Sequence, residues 1–359
     1  MNPLPPGSTI GIIGGGQLGR MLAMASARLG YRTVILEPEP DCPAAQIANR
    51  QIAAPYADPA ALDELAGLAD VVTYEFENVP VDAAQRLAGQ LPVFPPPRAL
   101  DVSQDRLTEK RFLNGCGIST ARFHPVDNDG DIGEALVLFG GNGVLKTRRL
   151  GYDGKGQRVF RASAPGAVDG AYAAVGGVPL IMEEFVPFSR EISIIAARGQ
   201  DGAVAAFDAA ENVHRDGILR RSTVPAGAGE AIAAEARNAA FQLLDALAYV
   251  GVIGVEFFVT EDGRLLANEF APRVHNSGHW TEAACTISQF EQHIRAVAGL
   301  PLGSPERHSD CVMENLIGDD VAKVGALLEE PDLLLHLYGK KDVRPGRKMG
   351  HFTRISPKE

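Results

Sequence analysis

The pattern of apolar and polar positions in the N-terminal part of the chain predicts a small parallel α/β sheet. The segment Thr9–Ile13 is an apolar run typical of a buried strand, and apolar residues recur at helical spacing directly after it. Gly30 is placed to end that helix. Further strands are predicted at Arg32–Leu36, Val71–Tyr74 and 92–94. Strand, helix and strand in this order form a βαβ unit.

The turn after the first strand has the glycine spacing associated with dinucleotides. Gly14, Gly16 and Gly19 fit Gly-x-Gly-x-x-Gly, and Glu37 follows about twenty residues later, as in NAD-binding proteins. An NAD-dependent oxidoreductase is therefore one alternative. Any tight strand-to-helix turn beside a ligand needs such glycines, so the motif alone is a weak signal.

Two polar residues follow the predicted strand Val71–Tyr74. Glu75 and Asn78 lie where open α/β sheets place ligand contacts, at the carboxyl end of a strand. Ordinary loop polarity is the simpler explanation for either residue alone.

A proline-rich segment at 94–97 predicts a linker to a second domain. That domain should open with a helix over 105–114, for which Asp101 or Ser103 is a plausible cap. A long Ala-rich amphipathic helix is predicted over 231–248. The C-terminal tail is compact and carries its own basic cluster.

Composition narrows the class of protein. The chain has 359 residues, which exceeds a single typical core and predicts two or three domains. A net charge of −11 argues against a general binder of nucleic acids or anionic membranes. The four cysteines are scattered, as expected for reduced thiols of a cytoplasmic protein. Neither a signal peptide nor a membrane span is predicted.

A basic glycine-rich loop runs from Lys146 to Gln157, after an apolar run. Its glycines at 151, 154 and 156 let backbone N–H groups approach an anion, and its basic side chains supply matching charge. No Ser or Thr follows Lys155, so this is not a P-loop. The loop suits a polyphosphate, and a solvated surface turn is the alternative.

Two glutamates are predicted to face each other on a hairpin. Strands are predicted over 252–260 and Leu265–Ala271, and Asp262-Gly263 favours a two-residue turn between them. That turn places Glu256 opposite Glu269, with Cβ atoms about 5 Å apart. Opposed like charges need compensation, which Mg²⁺ with substrate phosphates provides. A shifted register or neutralisation by nearby arginines is the alternative.

The stretch 268–280 is the most polar irregular part of the chain and contains its only tryptophan. Arg273, His275, Asn276 and Ser277 follow the second predicted metal strand. Together they would form an anion-binding, hydrogen-bonding floor beside the metal.

Several motifs together resemble the ATP-grasp superfamily, and within it the N5-carboxyaminoimidazole ribonucleotide synthetase family of bacterial purine biosynthesis. The resemblance covers nearly the whole chain. It rests on the motifs at 16–22, 105–110, 151–157, 216–220, 271–280 and 343–348. The runs at 271–280 and 343–348 are highly specific in this order.

The resemblance implies an α/β and α+β protein of three parts. These are an N-terminal nucleotide-fold (pre-ATP-grasp) domain at 1–104, a two-part ATP-grasp domain at 105–298 and a small C-terminal domain at 299–359. It also implies a ligase reaction: ATP phosphorylates bicarbonate to carboxyphosphate, and the exocyclic amine of 5-aminoimidazole ribonucleotide takes up the carboxyl group. The implied cofactor is Mg²⁺, with Mn²⁺ as an alternative. The implied assembly is a homodimer without nucleic-acid or membrane partners. Another ATP-grasp carboxylate–amine ligase is the nearest alternative.

Site residues carry over by matching position. The resemblance implies catalytic roles for Glu256, Glu269, Arg273 and Lys155, with both glutamates as metal ligands. For ATP it implies Arg106, Lys146, the loop Gly151, Tyr152, Asp153, Gly154, Lys155, Gly156 and Gln157, the hinge Glu183, Glu184, Phe185 and Val186, and also Glu191, His214 and Asn268. For the ribonucleotide and carboxyphosphate it implies Gln17, Leu18, Glu75, Asn78, Tyr152, Asp153, Arg273, His275, Asn276, Ser277, Lys341, Arg344, Arg347 and Lys348.

The sequence departs from the family pattern in two places. Ala271 stands where many ATP-grasp enzymes have an Asn, two residues past the second metal carboxylate, so the third protein ligand of the metal is open. Lys155 stands where related loops often have Arg, which keeps the charge but loses a bidentate fork.

Overall fold

The computed structural model describes residues 2–151, 156–163 and 168–359. Its N-terminal part is a four-stranded parallel sheet with helices, in the strand order β3-β2-β1-β4. The elements are β1 (Thr9–Ile13), α1 (Gln17–Arg28), β2 (Arg32–Leu36), β3 (Arg50–Ile52), α2 (Pro59–Leu68), β4 (Val71–Tyr74), α3 (Val81–Ala88) and α4 (Pro97–Ser103). The strand predicted at 92–94 is reduced to one parallel bridge between Val93 and Val72.

A second, antiparallel sheet follows, with strand order β5-β8-β6-β7. The elements are α5 (Arg106–Gly115), β5 (Phe123–Val126), α6 (Asp129–Leu138), β6 (Gly143–Thr147), β7 (Gln157–Phe160), α7 (Ala171–Ala174) and β8 (Leu180–Glu184). Apolar side chains of α6 and the sheet, including Ile132, Leu145 and Met182, form a core of their own. This sheet is therefore a separately packed unit.

The cap of α5 differs from the prediction. Neither Asp101 nor Ser103 caps the helix, because Asp105 accepts hydrogen bonds from the N–H groups of Leu107 and Thr108. Asp105 has the geometry of a short acidic N-cap and also pairs with Arg148 at 2.8 Å.

The third sheet is the largest, with the order β14-β13-β9-β11-β12-β15-β17-β16 and β10 paired to β9. Its elements are β9 (Phe188–Arg198), β10 (Val204–Ala206), β11 (Ala210–Arg215), β12 (Ile218–Val224), α8 (Glu230–Ala246), β13 (Gly251–Thr260), β14 (Leu265–Ala271), α9 (Thr281–Ala284), α10 (Gln289–Val297), β15 (Ser309–Ile317), α11 (Val324–Leu327), β16 (Leu333–Leu337) and β17 (Lys348–Pro357), with 3₁₀ turns at Asn276–Gly278 and Gly318–Lys323. The C-terminal strands extend this sheet through the pairing of β12 with β15.

The core couples the N-terminal sheet to the large sheet. Met21 of α1, Val252 of β13, and Phe290 and Ile294 of α10 belong to one buried cluster, and the buried Trp280 lies in it. The predicted amphipathic helix is present as α8, and its Leu243 is buried in a second cluster with β9 and β13. None of the helices in the described part of the chain has the length and hydrophobicity that a membrane span requires.

Candidate active site

A cleft of about 400 Å³ lies between the small antiparallel sheet and the large sheet. It brings together many of the residues predicted from sequence. The predicted residues that line it are Asn78, Arg106, Lys146, Gly151, Gly156, Gln157, Glu191, His214, Glu256, Asn268, Glu269, Arg273, His275, Asn276 and Lys348. The elements that carry them come from all three parts of the chain.

The paired glutamates face each other as predicted, but the turn that sets the register was predicted wrongly. Glu256 and Glu269 are paired residues of β13 and β14. Nearer the turn Val259 pairs with Leu265, so residues 261–263 form the turn instead of a two-residue Asp-Gly pair. A β-bulge then inserts one extra residue, Asn268, and restores the pairing of the glutamates.

The two carboxylates are in different electrostatic environments. Burial and the charge of Glu269 raise the pKa of Glu256. Burial opposes ionisation of Glu269 as well, but Arg106 more than offsets it and lowers the pKa of Glu269. The Nη1 atom of Arg106 lies 2.7 Å from a Glu269 oxygen. The pair is thus partly compensated within the protein.

Helix α5 holds the bulge from two sides. The Nζ of Lys110 donates to the carbonyl of Asn268 at 2.8 Å, and a carboxylate oxygen of Glu109 accepts from the N–H of Phe270 at 2.8 Å. Burial and the charge of Glu269 raise the pKa of Glu109 to about 8. The sequence analysis gave neither Lys110 nor Glu109 a role. Lys110 lies four residues after Arg106, on the same helix face, which is a signal that could have found it.

Beneath the cleft, two lysines share one buried carboxylate. Glu183 Oε2 lies 3.0 Å from the Nζ of Lys146 and 3.3 Å from that of Lys110. Burial opposes the charge of Glu183, but the lysines and Arg106 lower its pKa to about 2. The side chain of Glu183 thus anchors Lys146 at the end of β6. The other predicted hinge residues, Glu184, Phe185 and Val186, lie outside the cleft lining.

One wall of the cleft is aromatic and acidic. The rings of Phe188 and Phe258 are stacked with centroids 4.6 Å apart, and both line the cleft. Glu191 Oε2 lies 2.7 Å from Nδ1 of His214. Burial lowers the pKa of His214, but Glu191 and the other nearby carboxylates raise it on balance. The aromatic pair was missed because phenylalanines in strands ordinarily indicate core packing.

The polar run after β14 lies between the N-terminal sheet and the cleft. Arg273 Nε donates to the half-buried Glu77 at 2.6 Å. Desolvation opposes the charge of Glu77, but Arg273 more than offsets it and lowers the pKa of Glu77. Burial lowers the pKa of His275 to about 3, so its ring is neutral at physiological pH. His275 Nδ1 bonds the hydroxyl of Ser277, which is fully buried beneath it. The side chain of Asn276 has no hydrogen-bond partner among the described residues, although it lines the cleft.

The N–H groups of the glycine turn at 14–19 donate to acidic side chains of the chain itself. The N–H groups of Gly16 and Gly19 donate to the carboxylate of Glu75 at 2.5 and 2.6 Å. Gly15 donates to Glu37 at 2.9 Å. The amides that would bind the pyrophosphate in an NAD site therefore donate to the chain's own carboxylates. This arrangement contradicts the dinucleotide alternative. Gln17, Leu18 and Glu75 do not line the cleft.

In the tail, the structure separates neighbouring cations. Lys341 and Arg344 are exposed and pair with Asp41 and Asp342. Lys340 is half-buried, and burial together with the charges of Arg347 and Lys348 lowers its pKa to about 8. The charges of Arg347 and Lys348 thus act against the charge of Lys340, while the charge of Glu75 favours it. Lys340 was not among the predicted substrate residues. Tyr152, Asp153, Gly154 and Lys155 lie outside the described residues.

Three regions of the chain match known protein families. Residues 8–104 match the ribonucleotide synthetase preATP-grasp domain, and residues 111–290 match the ATP-grasp domain. Residues 311–359 match the phosphoribosylaminoimidazole carboxylase C-terminal domain. The chain is therefore an ATP-grasp protein with the three-part organisation and the mixed α/β fold that the sequence predicted.

The relatives specify the family within that class. The N5-carboxyaminoimidazole ribonucleotide synthase of Brucella melitensis is 65% identical over 99% of this chain and 98% of its own length. A crystal structure of an ADP complex of N5-carboxyaminoimidazole ribonucleotide synthetase matches 99% of this chain and 94% of its own, with a TM-score of 0.95 and 41% identity. The Aspergillus clavatus enzyme, in complex with ADP and 5-aminoimidazole ribonucleotide, matches 98% of this chain and 94% of its own, with a TM-score of 0.91 and 30% identity. This chain belongs to the N5-carboxyaminoimidazole ribonucleotide synthase family, and the resemblance is confirmed.

Proposed function

We propose that this chain carboxylates the exocyclic amine of 5-aminoimidazole ribonucleotide, using ATP and bicarbonate, in purine biosynthesis. The observation that carries the proposal is the cleft in which the basic residues Arg106 and Lys146 lie opposite the paired carboxylates Glu256 and Glu269. Relatives of this chain are named for that product, and one was crystallised with ADP and the ribonucleotide.

The cleft suits a nucleotide from end to end. The stacked rings of Phe188 and Phe258 offer a flat apolar wall to a purine base. Glu191 would accept hydrogen bonds from ribose hydroxyls, and Arg106 and Lys146 would bind the phosphates. Base contacts from the hinge Glu183–Val186 stay a prediction, because none of its residues belongs to the cleft lining. Closure of the loop 151–157 over the phosphates also stays a prediction, since residues 152–155 lie outside the described part of the chain.

The donor set at the carboxylate pair fits Mg²⁺. Glu256 and Glu269 provide hard oxygen ligands on adjacent strands, and the buried Oδ1 of Asn268 has no hydrogen-bond partner among the described residues. We infer that Asn268 supplies the third protein oxygen, which Ala271 cannot. Mn²⁺ shares these ligand preferences. When bound, the ion would neutralise phosphate charge during phosphoryl transfer.

Two steps account for the products. A bicarbonate oxygen attacks the γ-phosphorus of ATP, the bond to ADP breaks, and carboxyphosphate forms. The amine nitrogen then attacks the carboxyl carbon, phosphate leaves, and the nitrogen loses a proton. The same nitrogen could instead take up CO₂ released from carboxyphosphate. Arg273, aligned by Glu77, would stabilise the carboxyphosphate oxygens, and His275 and Asn276 would hydrogen-bond the reacting groups.

The tail would hold the 5′-phosphate of the ribonucleotide. Arg347 and Lys348 both disfavour the charge of the half-buried Lys340, so an anion would be favoured beside it. We infer that Lys340 takes the role that the sequence analysis gave to Lys341, because Lys341 is exposed and paired with Asp41. We further propose a homodimer, which light scattering would test, and no nucleic-acid partner.

The experiment is phosphate release from ATP with Mg²⁺, with and without bicarbonate and 5-aminoimidazole ribonucleotide. Release that requires both, together with trapping of the carboxylated product, is expected. Turnover that responds to another amine would instead make the chain a sister ligase. Glu269→Gln should abolish release with the fold intact. The exposed Glu261→Gln, in the same hairpin, should leave release unchanged. Near-normal activity of Glu269→Gln would remove the metal assignment.

A further inference from the structure

A second cluster of metal-ligating side chains lies away from the cleft, where α9 packs on the C-terminal strands. It consists of Glu282 of α9, His336 of β16 and His351 of β17, whose ligand atoms all lie within 4.8 Å of one another. His336 and His351 are directly paired residues of adjacent strands, and their rings are stacked with centroids 5.4 Å apart. None of these three residues belongs to the cleft lining.

The distances fit a shared ion better than hydrogen bonds. Glu282 Oε2 lies 3.4 Å from Nδ1 of His336 and 3.7 Å from Nε2 of His351, which is longer than good N–H···O bonds. Tetrahedral zinc with bonds of about 2.0–2.1 Å holds its donor atoms about 3.4 Å apart. Glu282 Oε2 is itself buried and has no hydrogen-bond partner among the described residues. A buried carboxylate oxygen without a donor is costly, and a cation would remove that cost.

The neighbouring residues keep one histidine in a form suited to a metal. The hydroxyl of Tyr338 lies 2.8 Å from Nδ1 of the buried His351. When that hydroxyl accepts from Nδ1–H, Nε2 is left unprotonated and directed at Glu282. His279 stacks on His351 at 4.6 Å, and its Nδ1 contacts the side-chain amide of Gln289. Its ring nitrogens do not fall within the cluster of three ligand atoms.

We propose that Glu282, His336 and His351 form a binding site for a divalent transition-metal ion, with Zn²⁺ as the best match. Two imidazoles and one carboxylate suit zinc and leave a fourth position for water. The bound ion would tie α9, which follows the polar run of the cleft, to strands β16 and β17. Its role would be structural, and it would be distinct from the Mg²⁺ site at Glu256 and Glu269.

The test is Zn²⁺ binding to the full chain by calorimetry in excess Mg²⁺, which occupies the oxygen ligands of the cleft. One Zn²⁺ per chain is expected. Glu282→Gln and His336→Gln should each weaken binding more than about 100-fold, because changes in outer-shell partners alone cost 10–100-fold. The exposed His308→Gln is the matched control and should bind normally. Trp280 fluorescence would establish that each variant is folded.

Cobalt provides a second readout that does not depend on activity. Co²⁺ should give the visible ligand-field bands of a four-coordinate site without thiolate charge transfer, and Glu282→Gln should abolish them. Absence of stoichiometric Zn²⁺ binding would overturn the proposal. So would equal binding by Glu282→Gln, His336→Gln and His308→Gln, or loss of the site in Glu256→Gln. The last result would mean that the zinc had been bound in the cleft.

Discussion

Lys110 offers a direct test of how the cleft is supported, because it contacts both the basic floor and the acidic hairpin. Its Nζ pairs with Glu183 and donates to the carbonyl of Asn268 in the bulge. The side chains of Lys110 and Glu183 are only 1% and 4% exposed, so water cannot replace either contact. We predict that Lys110→Met strongly destabilises the fold although it conserves side-chain volume.

The magnitude follows from what the substitution leaves behind. Removing one partner of a buried ion pair costs about 3–5 kcal/mol. Lys146 still pairs with Glu183 at 3.0 Å, which places this contribution at the lower end. The carbonyl of Asn268 would also lose its donor, at about 1–3 kcal/mol. A total loss of about 4–6 kcal/mol in the free energy of unfolding is therefore expected.

The assay is urea denaturation followed by the fluorescence of Trp280, the only tryptophan in the chain. Lys323→Met is the matched control, since Lys323 pairs with Asp320 at 2.7 Å but is 66% exposed. That control should lose less than about 1 kcal/mol. Equal losses for the two variants would refute the argument that burial makes the Lys110 contacts strong.

Three further predictions concern the proposed substrates. Arg347→Ala should raise the KM for the ribonucleotide about 10–100-fold, as loss of a charge-assisted contact would. Arg344→Ala, which changes an exposed ion pair, should alter this KM little. An equal rise in the KM for ATP would contradict a phosphate site at Arg347. Burial and neighbouring cations give Lys340 a pKa of about 8, so the KM for the ribonucleotide should rise above that pH as the lysine loses its charge, and Lys340→Arg should abolish this rise. Glu77→Gln weakens the contact that aligns Arg273, so it should lower kcat by up to about 100-fold, as misplaced reacting groups do. The KM for ATP should not change. An unchanged kcat would show that Glu77 does not position Arg273.

The hairpin illustrates how far sequence reasoning reaches. Strand periodicity located β13 and β14 to within a residue, and the pairing of Glu256 with Glu269 was predicted correctly. The turn was not, because the Asp-Gly preference is local and the bulge at Asn268 is held by contacts with a helix about 160 residues away. The three-residue turn shifts the register by one residue relative to the prediction, and the bulge at Asn268 shifts it back by one. The correct pairing therefore depended on Lys110 and Glu109, which the pattern did not single out.

The glycine turn shows the opposite case. The spacing of Gly14, Gly16 and Gly19 correctly predicted a tight turn into a helix with exposed N–H groups. It could not show what those groups bind, because Glu75 reaches them from the next strand of the sheet. The glycine spacing predicts where backbone N–H groups can bind an anion. The identity of that anion depends on tertiary contacts.

The sequence also could not predict which of the adjacent lysines Lys340 and Lys341 points inward. Lys340 and Lys341 have the same chemistry and lie in an irregular segment, so no periodicity distinguishes an inward from an outward side chain. In the structure the Nζ of Lys340 reaches the carbonyl of Lys348, whereas Lys341 points to Asp41. Contacts between the tail and the N-terminal part of the chain determine which of the two lysine side chains points inward.

The charge of the cleft explains why both sheets are needed for the proposed chemistry. The small sheet contributes Lys146 on the side of the cleft that would contact phosphate oxygens. The large sheet contributes Glu256 and Glu269, whose opposed charges the proposed cation would neutralise. Neither surface alone favours a free nucleotide, because the acidic side repels its phosphates and the basic side leaves the carboxylates uncompensated. A nucleotide carrying a divalent cation satisfies both at once. Arg106, which pairs with Glu269 at 2.7 Å, provides part of that positive charge within the protein. Binding of the ion to the glutamates would free Arg106 to contact the phosphates. The ion and the nucleotide should therefore bind cooperatively.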